Sequence, residues 1–284
     1  MKILTGGCSF TAQTDNLRVA WPNHLKDFDV TNTAEMASGN GIILDRIISR
    51  LDNTYKCCVV MWSSPYRVEF LLNKETFNYE EVVEKMKDTN AISNYSQTNI
   101  PHKIGEGSNW LRLGGNYGLY KFNVEEVDEM LENYFKYNHN LEYQFIQTLK
   151  SIILLQNYCE VNKIQLINTC WNNIFDLVET VDDRNTASNM FLTNEVIKRL
   201  KIGTKKQIPK IDLYPNSLHW YNKIDWSKWL FYETSFYKRG GLGEFATLEC
   251  GEENLGTGAH PKTSSQKKWA KFITEYINET IIKP

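Results

Sequence analysis

Short apolar runs, separated by segments with helical patterns, constrain the fold of this chain most strongly. The run "KCCVVMW" (56–62) is nearly continuous, and so is "KIQLINTCW" (163–171). Strands of this kind are typical of the centre of a parallel sheet that is covered on both faces. The shorter run "FDVTN" (28–32) predicts an edge strand, and the apolar residues 1–4 predict a first strand.

Between these runs, apolar residues recur at helical spacing. One stripe lies in "GIILDRIISRL" (41–51) and a second in residues 141–158. A third opens at "TSSQKKW" (263–269), where Ser264 or Ser265 is the expected N-cap. The alternation of strands and helices predicts an α/β fold, a three-layer sandwich in which helices flank a doubly wound parallel sheet.

Two regions break this rhythm. Residues 65–122 are rich in Asn, Tyr, Ser and Gly and have weak periodicity. Long irregular segments in compact domains are often functional, so we expect an insertion that lies over the carboxyl edge of the sheet. Residues 203–258 form a second irregular region. Because the chain shows no internal repeat or low-complexity linker, residues 1–284 are predicted to be one domain with two insertions.

The composition excludes several classes of partner and cofactor. A net charge of −2 and a pI near 6.2 argue against binding to nucleic acid or to an anionic membrane surface. No apolar run approaches the roughly 20 residues that span a bilayer, and polar residues interrupt the first run after Leu4. We therefore expect a cytoplasmic protein. The six cysteines include no CxxC pair, which predicts free, mostly buried thiols and no metal site.

Polar stretches follow the predicted strands or precede the last helix, where a parallel sheet places its functional site. They are "GGCSFT" (6–11), "NTAEMASGNG" (32–41), "MWSSPYR" (61–67) and "GTGAHP" (256–261). A serine hydroxyl becomes nucleophilic when a base takes its proton, and backbone N–H groups at glycine-rich turns can hold an oxyanion. Ser9 and His260 are therefore the candidate nucleophile and base. The N–H groups of Ser9 and Gly39, with the side chain of Asn40, form the candidate oxyanion hole.

These blocks resemble those of the SGNH (GDSL) hydrolases. "GGCSFT", "NTAEMASGNGIILDRI" and "GAHPKTSSQKKWAKFI" correspond, in order, to the serine block, the Asn-and-Gly block and the histidine block of that family. The divergent "GCSF" form resembles a branch associated with bacteria and phages. The resemblance implies a flavodoxin-like sheet, serine esterase or acylhydrolase chemistry, and no metal or organic cofactor.

The chain departs from the family pattern at three places. The block after the third strand normally carries an Asn that donates to the oxyanion, but "MWSSPYR" has none, so Asn40 or Ser63 would replace it. Thr257 stands where the family often has an aspartate that orients the histidine. The site is then a Ser–His dyad, or another carboxylate completes a triad. The candidates are Glu252, Glu253 and Asp225. Cys8 occupies the usual aspartate position of the serine block.

The predicted function is hydrolysis of a small or carbohydrate O-acyl ester, with Trp62, Ser63 and Arg67 as candidate substrate contacts. Two other functions remain open at this point: a catalytically silent module that binds a glycan or protein, and an O-acyltransferase. The thiol of Cys8 is the alternative nucleophile. The sequence does not indicate an oligomeric state.

Overall fold

The chain has an α/β architecture in which helices flank a sheet of four parallel strands, which confirms the predicted fold class. The structure is a computed structural model. It describes residues 1–13, 19–36, 38–72, 102–103, 109–113, 125–178, 194–252 and 260–282.

The strands and helices follow one another with short connections through most of the described chain. The strands are β1 (Lys2–Gly7), β2 (Asp29–Asn32), β3 (Cys57–Trp62), β4 (Val68–Leu72), β5 (His102–Lys103), β6 (Asn109–Leu113), β7 (Gln165–Cys170), β8 (Asp176–Val178) and β9 (Gln207–Pro209). The α-helices are α1 (Asn40–Ile48), α2 (Glu125–Asn133), α3 (Leu141–Val161), α4 (Asn194–Lys201), α5 (Lys210–Leu213), α6 (Leu218–Tyr221), α7 (Leu242–Leu248) and α8 (Thr263–Ile277).

The parallel sheet has the order β2-β1-β3-β7, so β1 and β3 are its central strands. Every residue of β3 is buried, as expected for a strand covered on both faces, and β2 lies at the edge as predicted. Trp229 adds one parallel bridge to Asn168 on the far side of β7. The order, with the first strand between the second and third, is that of flavodoxin-like doubly wound sheets.

Helices bury the two faces of this sheet. α1 packs against α3, while α8 packs against α7 and against a 3₁₀ turn at Trp21–His24. The apolar stripe of α8 supplies Trp269 and Ile273 to the core, both fully buried. All six cysteines are free, and five of them are buried, as the sequence predicts. Within the described residues, no helix is both long enough and apolar enough to cross a bilayer.

The first predicted insertion contains regular structure where the sequence indicates an irregular segment. Strands β4, β6 and β5 form a small antiparallel sheet, in which Val68 pairs with Leu113 and Leu72 with Asn109. Residues 73–101, 104–108 and 114–122 of this insertion lie outside the described residues. The second insertion contributes β9, the short helices α5 and α6, and α7, and its residues 253–258 also lie outside.

Candidate active site

The turn after β1 separates two side chains that are adjacent in sequence. The N–H groups of Thr11 and Ala12 both donate to the Cys8 carbonyl, at 2.8 and 2.9 Å. This tight turn places Cys8 and Phe10 in the core, where their exposed fractions are 0% and 3%, and leaves Ser9 only partly buried. The strand-to-turn geometry therefore presents the serine rather than the thiol.

The two glycines before this turn lie inside β1, so close packing explains them better than the turn does. A Cβ on Gly6 would lie 2.5 Å from the Ile47 side chain of α1. A Cβ on Gly7 would overlap the Thr11 side chain, which belongs to the turn itself. Glycine thus lets α1 and the turn approach β1 closely.

Ser9 and His260 meet, although 251 positions separate them in the sequence. Ser9 Oγ lies 2.7 Å from His260 Nε2, within the reach of about 2.6–3.2 Å that a nucleophile and its base require. The Phe10 ring packs against the imidazole, with the ring centroids 4.5 Å apart. The predicted pair is therefore in contact, and its catalytic role stays a prediction.

Glu252 anchors the helix that follows His260. Lys262 is the N-cap residue of α8 and has no capping side chain, so neither Ser264 nor Ser265 is the N-cap. Instead, both carboxylate oxygens of Glu252 accept from the Lys262 N–H at 3.2 Å, and one accepts from the Ser265 hydroxyl. Glu252 has an exposed fraction of only 5%. These contacts tie its carboxylate to α8, which corrects the prediction that it orients the imidazole.

The Asp225 carboxylate is bound elsewhere as well. The carboxylate of Asp225 accepts from the N–H and hydroxyl of Ser227 and pairs with Lys228, at the start of a 3₁₀ turn. Glu253 and Thr257 lie outside the described residues. The described chain therefore presents a Ser–His pair.

Asn40 does not point its amide at Ser9, which corrects the predicted oxyanion hole. Its Nδ2 group donates to the Ser63 carbonyl at 3.1 Å and to Thr148 Oγ1 at 3.0 Å, which uses both amide hydrogens. Its Oδ1 atom accepts from the Ser63 N–H at 2.8 Å. Asn40 thus holds the Ser63 peptide from both sides.

The Gly39 N–H, a second predicted donor to the oxyanion, also has a hydrogen-bond partner. The Gly39 N–H donates to Glu69 Oε1 at 2.5 Å, and the Ile42 N–H donates to Glu69 Oε2 at 3.1 Å. A carboxylate from β4 therefore caps α1, whose N-cap residue has no side chain of its own. A Cβ on Gly39 would lie 2.6 Å from Glu69 Cδ, so this close approach needs glycine.

Ser63 is a polar residue at the same edge of the sheet as Ser9. Gly7↔Met61 is the last pair between β1 and β3, and Ser9 and Ser63 each follow two residues beyond it. Ser63 is fully buried, and its hydroxyl has no hydrogen-bond partner within the described part of the chain. A buried hydroxyl without a partner is costly and calls for an explanation.

Two predicted substrate contacts have different surroundings. Trp62 is fully buried, and its indole N–H donates to Asn168 Oδ1 at 2.9 Å, so its polar atom is already paired within the core and its predicted contact with substrate gains no support. Arg67 is half-buried and donates to the Ser38 carbonyl at 2.9 Å. Arg67 also lines a cavity of about 340 Å³ between α1, β4 and the first half of α3.

Glu69 and the polar face of α3 are not among the residues that the sequence predicts for the site. Nothing in "RVEFLL" marks Glu69 as a helix cap, because the contact joins residues 27 to 30 positions apart. The α3 face did leave a signal. Gln144, Gln147 and Ser151 recur at helical spacing opposite the apolar stripe and line the cavity.

The comparisons with known proteins do not add a family. No protein-family model matches the sequence, and a search of the curated proteins finds no relative. Within the described residues, no group of three or more His, Cys, Asp or Glu is placed to hold a metal ion.

Proposed function

We propose that this protein is a serine esterase or acylhydrolase in which Ser9 is the nucleophile and His260 the general base. One observation carries the proposal: Ser9 Oγ lies 2.7 Å from His260 Nε2 at the carboxyl edge of a parallel sheet. Functional sites of doubly wound folds lie at this edge. The sequence blocks that resemble SGNH hydrolases support the same assignment.

The reaction follows from this pair. His260 Nε2 takes the Ser9 hydroxyl proton as Oγ attacks the ester carbonyl, and a tetrahedral oxyanion forms. The intermediate collapses, the bond to the alcohol oxygen breaks, and the imidazolium returns its proton to that oxygen. Water, deprotonated by the same imidazole, then attacks the acyl-serine and releases the carboxylic acid and free Ser9.

The oxyanion needs donors other than those of Asn40 and Gly39. The Ser9 N–H and the Ser63 hydroxyl are the two groups that we assign to this role. Asn40 fixes the Ser63 peptide through its N–H and its carbonyl. Because the Ser63 hydroxyl is fully buried, a local movement on substrate binding must uncover it before it can donate to the oxyanion.

Ester hydrolysis by single variants tests the proposal. Against a panel of short p-nitrophenyl esters and acetylated sugars, Ser9→Ala and His260→Ala should each lose turnover by about 10⁴-fold or more. The melting temperature of Ser9→Ala should stay near that of the native protein, because only one partly exposed hydroxyl is lost. A folded Ser9→Ala protein with native turnover would refute the proposed nucleophile.

A catalytically silent binding module is the second candidate, and one observation favours it. The Gly39 N–H is a predicted donor to the oxyanion, but it already donates to the Glu69 carboxylate at 2.5 Å. If no ester in the panel is hydrolysed, while Ser9→Ala weakens binding of a glycan or protein, this second function replaces the first.

The place of action is proposed to be the cytoplasm. All six cysteines are free thiols, and such thiols persist in reducing compartments. Alkylation of the unfolded protein without reductant, followed by mass spectrometry, should find all six thiols modified; a disulfide in the protein taken directly from cells would contradict this proposal.

A further inference from the structure

The cavity next to the candidate active site has no role in the reaction described above. Its volume of about 340 Å³ is at the lower end of the range for small-molecule sites. The first two turns of α1, the residues that lead into β4, and the first half of α3 form its walls. Asn40 and Gly41 of its lining come after β2, and Pro65 and Arg67 come after β3, so the cavity lies at the carboxyl edge of the sheet, the edge that also carries Ser9.

Asn40 connects this cavity to the reacting groups. Its side chain forms part of the cavity wall, and its amide holds the Ser63 peptide, which follows β3 at the same edge of the sheet as Ser9. A molecule in the cavity would therefore sit one side chain away from the proposed oxyanion donor.

The charged groups of the wall favour a ligand without net charge. Glu69 uses its carboxylate oxygens on the N–H groups of Gly39 and Ile42, so α1 already neutralises it in part. Asp45 and Arg67 remain, one of each sign. Partial burial raises the pKa of the Asp45 carboxyl, which indicates that water solvates this group incompletely.

The neutral groups of the wall favour a ligand rich in hydroxyls. Gln147 offers an amide that both donates and accepts, and Tyr143 and Ser151 add hydroxyls. Phe70 and Tyr134 pack edge to face, with their ring centroids 4.8 Å apart, and supply an apolar surface for C–H groups. A sugar combines these two properties, because its hydroxyls donate and accept while its ring faces are apolar.

We propose that this cavity binds a neutral monosaccharide unit, which forms the alcohol part of the ester. The last clause rests on the proposed esterase function, whereas binding of the sugar itself does not. The substrate class is then an O-acylated neutral sugar. A free amino acid could pair its two charges with Asp45 and Arg67, but it would leave the amide and hydroxyls of the wall without partners.

Direct binding tests the proposal independently of catalysis. The probes are D-glucose, D-galactose, D-mannose and N-acetyl-D-glucosamine, with D-glucuronate, D-glucosamine and L-serine as charged or zwitterionic counterparts. Ligand-observed NMR titration of the Ser9→Ala protein should detect a neutral sugar that binds more tightly than its charged counterparts. Gln147→Leu should weaken this binding about tenfold, which corresponds to loss of one or two hydrogen bonds.

A matched control comes from the same helix. Asn157 is an exposed amide on α3, away from the cavity, and Asn157→Leu should leave sugar binding unchanged. If Gln147→Leu fails to fold, Arg67→Gln serves as the second cavity variant, with the same expected loss. The proposal is overturned if no neutral sugar binds, if L-serine or a charged sugar binds more tightly, or if the control variant loses as much affinity as the cavity variants.

The kinetic result distinguishes the two proposals. Gln147→Leu should raise KM for an acetylated sugar and leave p-nitrophenyl acetate hydrolysis unchanged. Sugar binding without any esterase activity would refute the proposed function alone. Esterase activity without sugar binding would refute the role of the cavity alone.

Discussion

At the residue scale, one turn gives the neighbours Cys8 and Ser9 different surroundings. The thiol is fully buried, whereas the neighbouring hydroxyl contacts His260. We expect Cys8→Ser to keep most of its turnover and to melt at a lower temperature, because a hydroxyl replaces a buried thiol. Steady-state kinetics and a thermal melt check both expectations. An inactive but folded Cys8→Ser protein would instead favour a thiol nucleophile.

A second prediction at the residue scale concerns Ser63, whose loss should lower activity without lowering stability. Ser63→Ala should lower kcat by about 10²–10³, as loss of one oxyanion donor does in serine hydrolases. It should not lower the melting temperature, because the lost hydroxyl is buried without a partner in the described chain. Asn40→Ala is the contrasting variant. It should lower both, since it removes hydrogen bonds from the Ser63 peptide and from Thr148. Native kcat in a folded Ser63→Ala protein would remove Ser63 from the mechanism.

Lys210 should make the stability of the protein depend on pH. Burial lowers the pKa of its ammonium to about 7, although the nearby Asp176 carboxylate opposes this shift. Its Nζ group donates to the Ile174 carbonyl at 2.8 Å. Between pH 7 and 10 the unfolded chain binds more protons at this lysine than the folded chain does. The free energy of unfolding therefore rises with pH, by up to about 1.4 kcal/mol per unit.

Urea denaturation at pH 7, 8 and 9 measures this slope. Lys210→Met should flatten it, while Lys206→Met, at an exposed position nearby, should not. An unchanged slope in Lys210→Met would mean that other groups cause the pH dependence.

At the element scale, the position of His260 depends on how α8 begins. The helix has its N-cap at Lys262, two residues after His260, and lacks a capping side chain there. The Glu252 carboxylate accepts from the Lys262 N–H instead. Glu252→Ala should destabilise the protein by about 1–3 kcal/mol, since it leaves buried donors unsatisfied. Because His260 would be held less firmly, kcat should fall as well.

Two further variants test whether kcat falls because His260 is displaced or because the whole protein is less stable. Glu252→Gln keeps an oxygen acceptor and should recover part of both losses, whereas Glu275→Ala, at the exposed far end of α8, should change neither by a comparable amount. Thermal melts and kcat for all three proteins provide the comparison. A native melting temperature for Glu252→Ala would contradict the assigned cap.

At the scale of the whole molecule, the sequence predicts the framework better than the contacts between its parts. The strands at 29–32, 57–62 and 165–170 follow from local apolar runs, because burial on both faces leaves a pattern within each segment. The Ser9–His260 contact follows from the same framework. The antiparallel pairing of β4 with β6 does not, because the two strands are short and about 40 residues apart.

The errors at the site share one cause. The predicted roles of Asn40, Gly39 and the start of α8 rest on their neighbours in sequence. Their partners Ser63, Glu69 and Glu252 come from other parts of the chain. A residue that is distant in sequence can accept a hydrogen bond from a donor that has no partner among its sequence neighbours. The single-domain organisation remains a prediction.

Covalent labelling tests the central claim most directly. A fluorophosphonate probe reacts with a serine whose hydroxyl is activated by a base, and peptide mass spectrometry identifies the labelled residue. We predict that the native protein is labelled at Ser9, and that His260→Ala reacts at least a hundredfold more slowly while remaining folded. Label on another residue, equal rates in the two proteins, or no label on the folded native protein would contradict the claim that His260 activates Ser9.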